Sequence, residues 1–205
     1  PIESNIFDFL NEYDLDLQKN LVLDSKCGNV QVQQSVGLFR MNRAVQYPFF
    51  PVVDSFNSRD SVTGIIVDKL EQILPLFPSE IKIDTVRSEK VLKVSTLFTS
   101  SNNSGLMSSN FMLSPDPQQN PFLQLLGQSG KVLSALSFLK SGGELMLISD
   151  SKFLSDEGGM SIPDNMVFLM NAVDYLADDE DLISLRSREV TSRPLDILQL
   201  SDEEE

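Results

Sequence analysis

The sequence has few of the residues on which enzyme chemistry most often depends. Among its 205 residues there is no histidine and no tryptophan, and Cys27 is the single cysteine. Histidine is the commonest general base, and one thiol forms neither an internal disulfide nor a multi-cysteine zinc site. Because no histidine is present to activate Cys27, we expect it to be an ordinary turn residue beside Gly28 and not a nucleophile.

Positive charge is also scarce in this chain. Lysine and arginine together number 16 against 30 aspartates and glutamates, which gives a formal net charge of -14 at pH 7. From Asp178 to the end, ten acidic residues accompany three arginines, so this short stretch holds half of the net charge. A surface of this sign repels nucleic-acid phosphates and anionic membranes, so neither is an expected partner.

Long apolar runs are absent from the sequence. No run of about 18 apolar residues is present, and the N-terminus has no basic segment followed by an apolar one, so neither a membrane-spanning helix nor a signal peptide is predicted. The first residue is Pro1 and not Met, and we expect a piece of a longer protein. The composition suits one domain, which we place at 1–194, followed by an acidic tail at 195–205 that we expect to be disordered.

The pattern of apolar residues indicates several strands and few helices. Strands are predicted at 19–24, 90–100, 131–139 and 144–149, and the clearest helix lies at 161–179. The last two strands are joined by the short turn "KSGG", so they should form an antiparallel hairpin. This order of elements predicts an α/β (or α+β) fold, with a mixed β-sheet and a few flanking helices.

The stretch "GGELMLISDSKFLSDEGG" offers the best candidate for a ligand site. An apolar strand stops at Ser149 and is followed by Asp150, Ser151 and Asp156. Their oxygens could hold a hard cation such as magnesium or calcium, although the spacing matches no calcium-binding loop. We favour the alternative, in which Asp150 and Ser151 bond their own backbone and turn the chain toward the next helix.

Two other acidic arrangements allow a metal. If Asp24, Asp150 and Asp156 converged on one ion, they could serve a metal-dependent hydrolase, which is an alternative function for the chain. The run "ADDEDL" at 177–182 could bind calcium, but a solvated surface is the simpler interpretation. The sequence implies no cofactor, because it has no glycine-rich phosphate-binding motif and no paired Cys or His spacing.

Aromatic residues between prolines mark another candidate. Tyr47, Phe49 and Phe50 lie in "YPFFP", which could form a partner-binding surface, although core packing is the favoured interpretation. A long loop is predicted at 100–121. Together with "YPFF" it could form the cleft of a carbohydrate- or peptide-binding module, a further alternative.

Five segments in order resemble a known family, the GldG-like auxiliary component of gliding-motility-associated ABC-type transport systems. The resemblance covers about residues 5–194. Its segments are "FLNEYDLDLQKNLVLD", "QYPFFPVV", "SVTGIIVDKLEQILPLFPSEIKI", "ELMLISDSKFLSD" and "PDNMVFLMNAVDYLADDEDLISLRSR".

The resemblance implies a function as well as a fold. It implies a Rossmann-like unit related to the glutamine-amidotransferase-like fold, without that fold's catalytic cysteine and histidine. It implies a non-enzymatic protein on the extracytoplasmic (periplasmic) face of the inner membrane, tethered by a transmembrane helix absent from this fragment. Its implied partners are ABC permease and ATPase subunits or other membrane components, and it could also bind the transported substrate.

Overall fold

The computed structural model describes residues 5–36, 39–56, 64–83, 88–116, 122–156, 158–159 and 162–189. Within these ranges the chain forms helices and strands in a mixed α/β arrangement, which confirms the predicted fold class. The helices are α1 Ile6–Asn11, α2 Gly64–Val67, α3 Phe122–Leu125, α4 Pro163–Leu176 and α5 Glu180–Glu189. The strands are β1 Leu15–Leu17, β2 Leu21–Asp24, β3 Cys27–Val36, β4 Phe39–Pro51, β5 Ile81–Ile83, β6 Val91–Thr99, β7 Ser104–Met107, β8 Val132–Leu139 and β9 Glu144–Ile148.

The strands pair in several small sheets. β1 pairs with β5, β2 with β7 and β3 with β4, while β6, β8 and β9 form a three-stranded sheet in the order β6-β8-β9. The predicted hairpin of β8 and β9 is confirmed, with Ser134 opposite Ile148 and Phe138 opposite Glu144. Each of these pairs is antiparallel, whereas the Rossmann-like unit implied by the resemblance is built on parallel strands.

The main core lies where α4 packs against the three-stranded sheet and its neighbours. β6 contributes apolar side chains to this core, β8 is buried along five consecutive residues in its middle, and α4 supplies an apolar stripe at helical spacing. Phe168 of α4 is fully buried, and its ring meets those of Phe98 and Phe153 edge-on at 5.4 and 5.9 Å between centroids. The buried members of this cluster include Leu97, Phe98, Leu133, Leu136, Phe153, Phe168, Ala172, Tyr175 and Ile183.

A tight turn joins α4 to α5. The backbone N–H of Asp179 donates to the carbonyl of Asp174 at 2.9 Å, and that of Asp178 donates to Tyr175 at 3.1 Å. Asp178 itself adopts a left-handed conformation with φ of 58°. This hydrogen-bond pattern is a Schellman motif, and it provides donors for carbonyl groups in the last turn of α4. The acidic run at 177–182 therefore forms a helix-to-helix turn, and Asp181 lies in the first turn of α5, where the helix dipole favours an acid.

Within the ranges described above, none of the helices has the length and apolar character that crossing a bilayer requires.

Candidate functional site

Asp150, the leading candidate residue, lies just after β9 and is only 6% exposed. Its Oδ2 accepts a hydrogen bond from the backbone N–H of Leu76 at 2.8 Å, and its Oδ1 accepts one from the N–H of Lys152 at 2.7 Å. The bond to Lys152 is the local turn that the sequence predicted. The bond to Leu76 reaches residues 71–78, here called the proline segment, which lies 74 positions earlier in the sequence.

Two side chains from the first turn of α4 hold the same segment. Oδ2 of Asp164 accepts hydrogen bonds from the backbone N–H groups of Glu71 and Gln72 at 3.0 and 2.9 Å. The amide of Asn165 bonds both backbone groups of Leu74: its Oδ1 accepts from the N–H at 2.9 Å, and its Nδ2 donates to the carbonyl at 3.0 Å. Asp150, Asp164 and Asn165 thus form a clamp on the proline segment, and we use that name below.

The sequence of the proline segment explains why it needs the clamp. Pro75 and Pro78 have no backbone N–H and cannot take part in a regular sheet ladder. Backbone N–H groups outside a ladder need acceptors from elsewhere. Those of Ile73 and Phe77 donate to backbone carbonyls of other segments. Carboxylate and amide oxygens of the clamp accept from the remaining four. The side-chain oxygens of the clamp, which could otherwise bind a ligand, therefore accept hydrogen bonds from the backbone of the proline segment.

Burial also affects the titration of Asp150. Removal from water raises the pKa of its carboxyl above the ordinary value, while the hydrogen bonds from Leu76 and Lys152 oppose that rise. Ionisation of Asp150 is therefore harder in the folded protein than in the unfolded chain. Its contribution to stability is greatest below its ordinary pKa of about 3.9 and declines as the pH rises through the higher folded value.

Replacing Asp150 with asparagine is expected to lower the free energy of unfolding by about 1–3 kcal/mol. The asparagine amide would present an NH2 group to one of two backbone N–H donors, and that donor would lose its acceptor. Urea unfolding from pH 4 to pH 8 checks the effect. We expect the stability advantage of the natural protein over the variant to shrink as the pH rises, because only the natural side chain ionises.

Asp156→Asn is the matched control for this measurement, because Asp156 lies on the same loop and is exposed. It should change stability by less than about 0.5 kcal/mol at every pH. An advantage of Asp150 that grew with pH, or stayed constant, would contradict the raised pKa.

The structure does not bring the three candidate metal ligands together. Asp24, at the end of β2, is fully buried. Its Oδ1 accepts hydrogen bonds from the Lys26 N–H at 2.8 Å and from the Ser101 hydroxyl at 2.6 Å. Its Oδ2 accepts one from the Ser101 N–H at 2.5 Å. Asp156 is exposed, as is Ser151. No cluster of three or more His, Cys, Asp or Glu side chains suited to a metal ion occurs among the described residues. A hydrolase site in which Asp24, Asp150 and Asp156 converge is therefore wrong, since each buried carboxylate serves its own backbone neighbours.

The aromatic residues of "YPFFP" lie inside a second core cluster. Phe49 is fully buried and Tyr47 is 5% exposed, while Phe50 is half-buried. Tyr47 packs edge-on against Phe49 and Phe50 at 5.4 and 4.9 Å between centroids. Burial raises the pKa of the Tyr47 hydroxyl. Core packing, the favoured interpretation, is thus what the geometry shows for Tyr47 and Phe49, which have little surface left for a partner.

The long loop packs onto these aromatics and leaves them covered. The hydroxyl of Tyr47 donates to the carbonyl of Leu113 at 2.6 Å. The prediction of a loop over the whole of 100–121 was wrong at Ser104–Met107, which form β7. Met107 and Phe122, on either side of the remaining loop, belong to the same buried cluster as Tyr47 and Phe49. The described part of the loop therefore covers the aromatics with its own groups, and the geometry gives no support to a carbohydrate- or peptide-binding cleft there.

Cys27 is the first residue of β3, opposite Pro51, and so the prediction of a turn was wrong. The strand pairing shifts register between Cys27 and Asn29, an irregularity consistent with the turn-like composition of the sequence there. Burial is the main cause of a raised pKa at the Cys27 thiol, with a further contribution from the charge of Asp24. A raised pKa lowers the thiolate fraction, which agrees with the expectation that Cys27 is not a nucleophile.

Sequence reasoning missed the role of α4 as a source of buried polar groups. Asp164, in the first turn of this helix, bonds the backbone of the proline segment. Asn171 is also buried, and its Nδ2 donates to the carbonyl of Ile66 at 3.1 Å. The available signal was the spacing of Asn165 and Asn171, which places both amides on the apolar face that carries Phe168.

Comparison with known proteins gives one positive result. No curated protein and no solved structure shows significant similarity to the chain. The model of an auxiliary-component family, described as "ABC-type uncharacterized transport system", matches residues 1–172. This range includes the nine strands of the described residues, the proline segment, the clamp and most of α4. The chain belongs to this auxiliary family of ABC-type transport systems.

Proposed function

We propose that the chain is a non-enzymatic, extracytoplasmic domain that assists an ABC-type transporter by binding the transporter's protein subunits. The observation that carries the proposal is membership of the auxiliary family over residues 1–172. The finer parts of the proposal are a GldG-like role related to gliding motility and a tether to the inner membrane. They rest on the ordered resemblance of five segments.

The chemistry of the described residues supports a binding role. The buried carboxylates of Asp24 and Asp150 are engaged by backbone N–H groups, and the chain has no histidine to act as a general base. The excess of acidic residues favours partners with basic surfaces. Binding of the transported substrate could accompany this role, as a second activity of the same domain.

Cross-linking in native membranes tests the proposal. The full-length protein, tagged and expressed at its natural level, should be cross-linked to an ABC permease subunit, identified by mass spectrometry. The same sample without cross-linker is the control. A protease added outside intact spheroplasts should digest the domain, because we place it on the extracytoplasmic face. Recovery of no transporter subunit, or protection of the domain from protease, would count against the proposal.

A further inference from the structure

α4 carries a second apolar stripe on the side that faces away from the core. Its buried side already packs against the sheet through Phe168, Ala172 and Tyr175. The other side repeats apolar residues at spacings of three and four, and we call it the α4 outer stripe. Its members are Met166, Leu169, Met170, Val173 and Leu176.

The outer stripe is accessible in this chain. Met170, Val173 and Leu176 are 44%, 57% and 46% exposed, and Met166 and Leu169 are half-buried. A surface helix normally has one apolar face and one polar face. A helix with apolar residues on both faces is normally covered on both of them. Three exposed apolar side chains on consecutive turns of one helix therefore mark a binding surface more strongly than scattered ones.

The charges along α4 and the first half of α5 have a single sign. Between Ile162 and Leu185 the sequence contains six acidic residues and no lysine or arginine. Three of the acids, Asp178, Asp179 and Asp181, are exposed and follow directly after the last residue of the stripe. An apolar strip that ends in a cluster of carboxylates is complementary to an apolar segment that carries lysine or arginine.

The same charges disfavour the other occupants. An anionic membrane would repel the carboxylates, and a second copy would bring its own six acids against them. The chain's own last residues, "SDEEE", are acidic too. We propose that the α4 outer stripe binds a basic amphipathic helix of a partner protein. The partner's apolar side lies on the stripe, and its lysines or arginines lie beside Asp178, Asp179 and Asp181.

The composition of the stripe suits this kind of partner. Helix-in-groove recognition uses apolar anchors at spacings of three, four and seven residues, which is also the spacing of the stripe. Met166 and Met170 have flexible, polarisable side chains that adapt to a partner's surface. The inference goes beyond the proposed function, since it stands on α4 alone and holds whether or not the partner is a transporter subunit.

A designed peptide tests the surface directly. The probe is a synthetic peptide of about 18 residues, with leucines along one helical face and lysines on the other. Its affinity for the full chain is measured by fluorescence anisotropy at about 0.15 M salt, where charge attraction between distant groups is screened. We expect binding to the natural chain and weaker binding to a scrambled peptide of the same composition, which has no continuous apolar face.

Matched variants locate the binding. Val173→Gln and Leu176→Gln should each weaken it by at least about fivefold, because each removes an apolar contact. The double change Asp178→Asn with Asp181→Asn should weaken it by at least about threefold. Met41→Gln is the control, because Met41 is 60% exposed on β4 and lies outside the stripe. The affinity of this variant for the peptide should stay within about twofold of that of the natural chain. Circular dichroism of each variant checks that the fold is retained.

Other results would overturn the proposal. Equal binding of the scrambled peptide would show attraction by bulk charge alone. Sedimentation that detects a dimer broken by Val173→Gln would assign the stripe to a second copy of the chain. Binding to vesicles of phosphatidylglycerol that Val173→Gln abolishes would assign it to a membrane. A peptide of residues 190–205 that competes with the probe would assign it to the chain's own C-terminal segment.

Discussion

Replacing Phe168 with alanine should lower the free energy of unfolding by about 3–5 kcal/mol, the largest single-residue effect we expect in this protein. Phe168 is fully buried and meets the rings of Phe98 and Phe153 edge-on. Its removal takes away apolar burial, two aromatic contacts and the packing that joins α4 to the sheet. Urea unfolding followed by circular dichroism measures the loss, because the chain has no tryptophan for fluorescence.

Val173→Ala is the control on the opposite side of the same helix. Val173 is 57% exposed, and alanine is the better helix former, so stability should change by less than about 0.5 kcal/mol. Equal losses at the two positions would mean that α4 is not seated on the sheet by the face that carries Phe168. That result would also remove the basis for an outward-facing stripe.

Replacing Asp24 with alanine should destabilise the protein by about 2–5 kcal/mol. The Asp24 carboxylate accepts from the backbone N–H groups of Lys26 and Ser101 and from the Ser101 hydroxyl. Alanine would leave both backbone donors without this acceptor in partly buried surroundings. Urea unfolding at neutral pH measures the loss in the free energy of unfolding. Thermal unfolding of the same variant provides a comparison.

Asp156→Ala supplies the comparison for Asp24. Both residues were candidates for the same metal site, yet one is fully buried and the other exposed. The change at Asp156 should shift stability by less than about 0.5 kcal/mol. If added magnesium raised the melting temperature of the natural protein but not of Asp156→Ala, the two carboxylates would share an ion after all.

Local pattern was enough to predict several elements of this fold. The pattern of apolar residues predicted β6 and β8, and the short "KSGG" connection predicted the hairpin of β8 with β9. Spacings of three and four predicted α4. These elements depend on residues that are neighbours along the chain, and a sequence records such relations directly.

The clamp could not be predicted, because its hydrogen bonds join distant parts of the chain. Asp150 and Leu76 are 74 residues apart, and Asn165 and Leu74 are 91 apart. A sequence shows an acid at a strand end without showing which backbone N–H it will meet. The same reason explains why Asp24, Asp150 and Asp156 were candidates for one metal site although their partners differ.

The clamp also has a consequence for motion. Ladder hydrogen bonds couple a strand to its sheet, but four of the six backbone N–H groups in the proline segment depend on three side chains that belong to other elements. The other two, those of Ile73 and Phe77, donate to the backbone carbonyls of Val53 and Phe49. The four amide hydrogens held by the clamp should therefore exchange with solvent at a lower free energy than those of β8. Anything that pulls α4 toward a partner would act on the clamp bonds, because Asp164 and Asn165 lie on that helix.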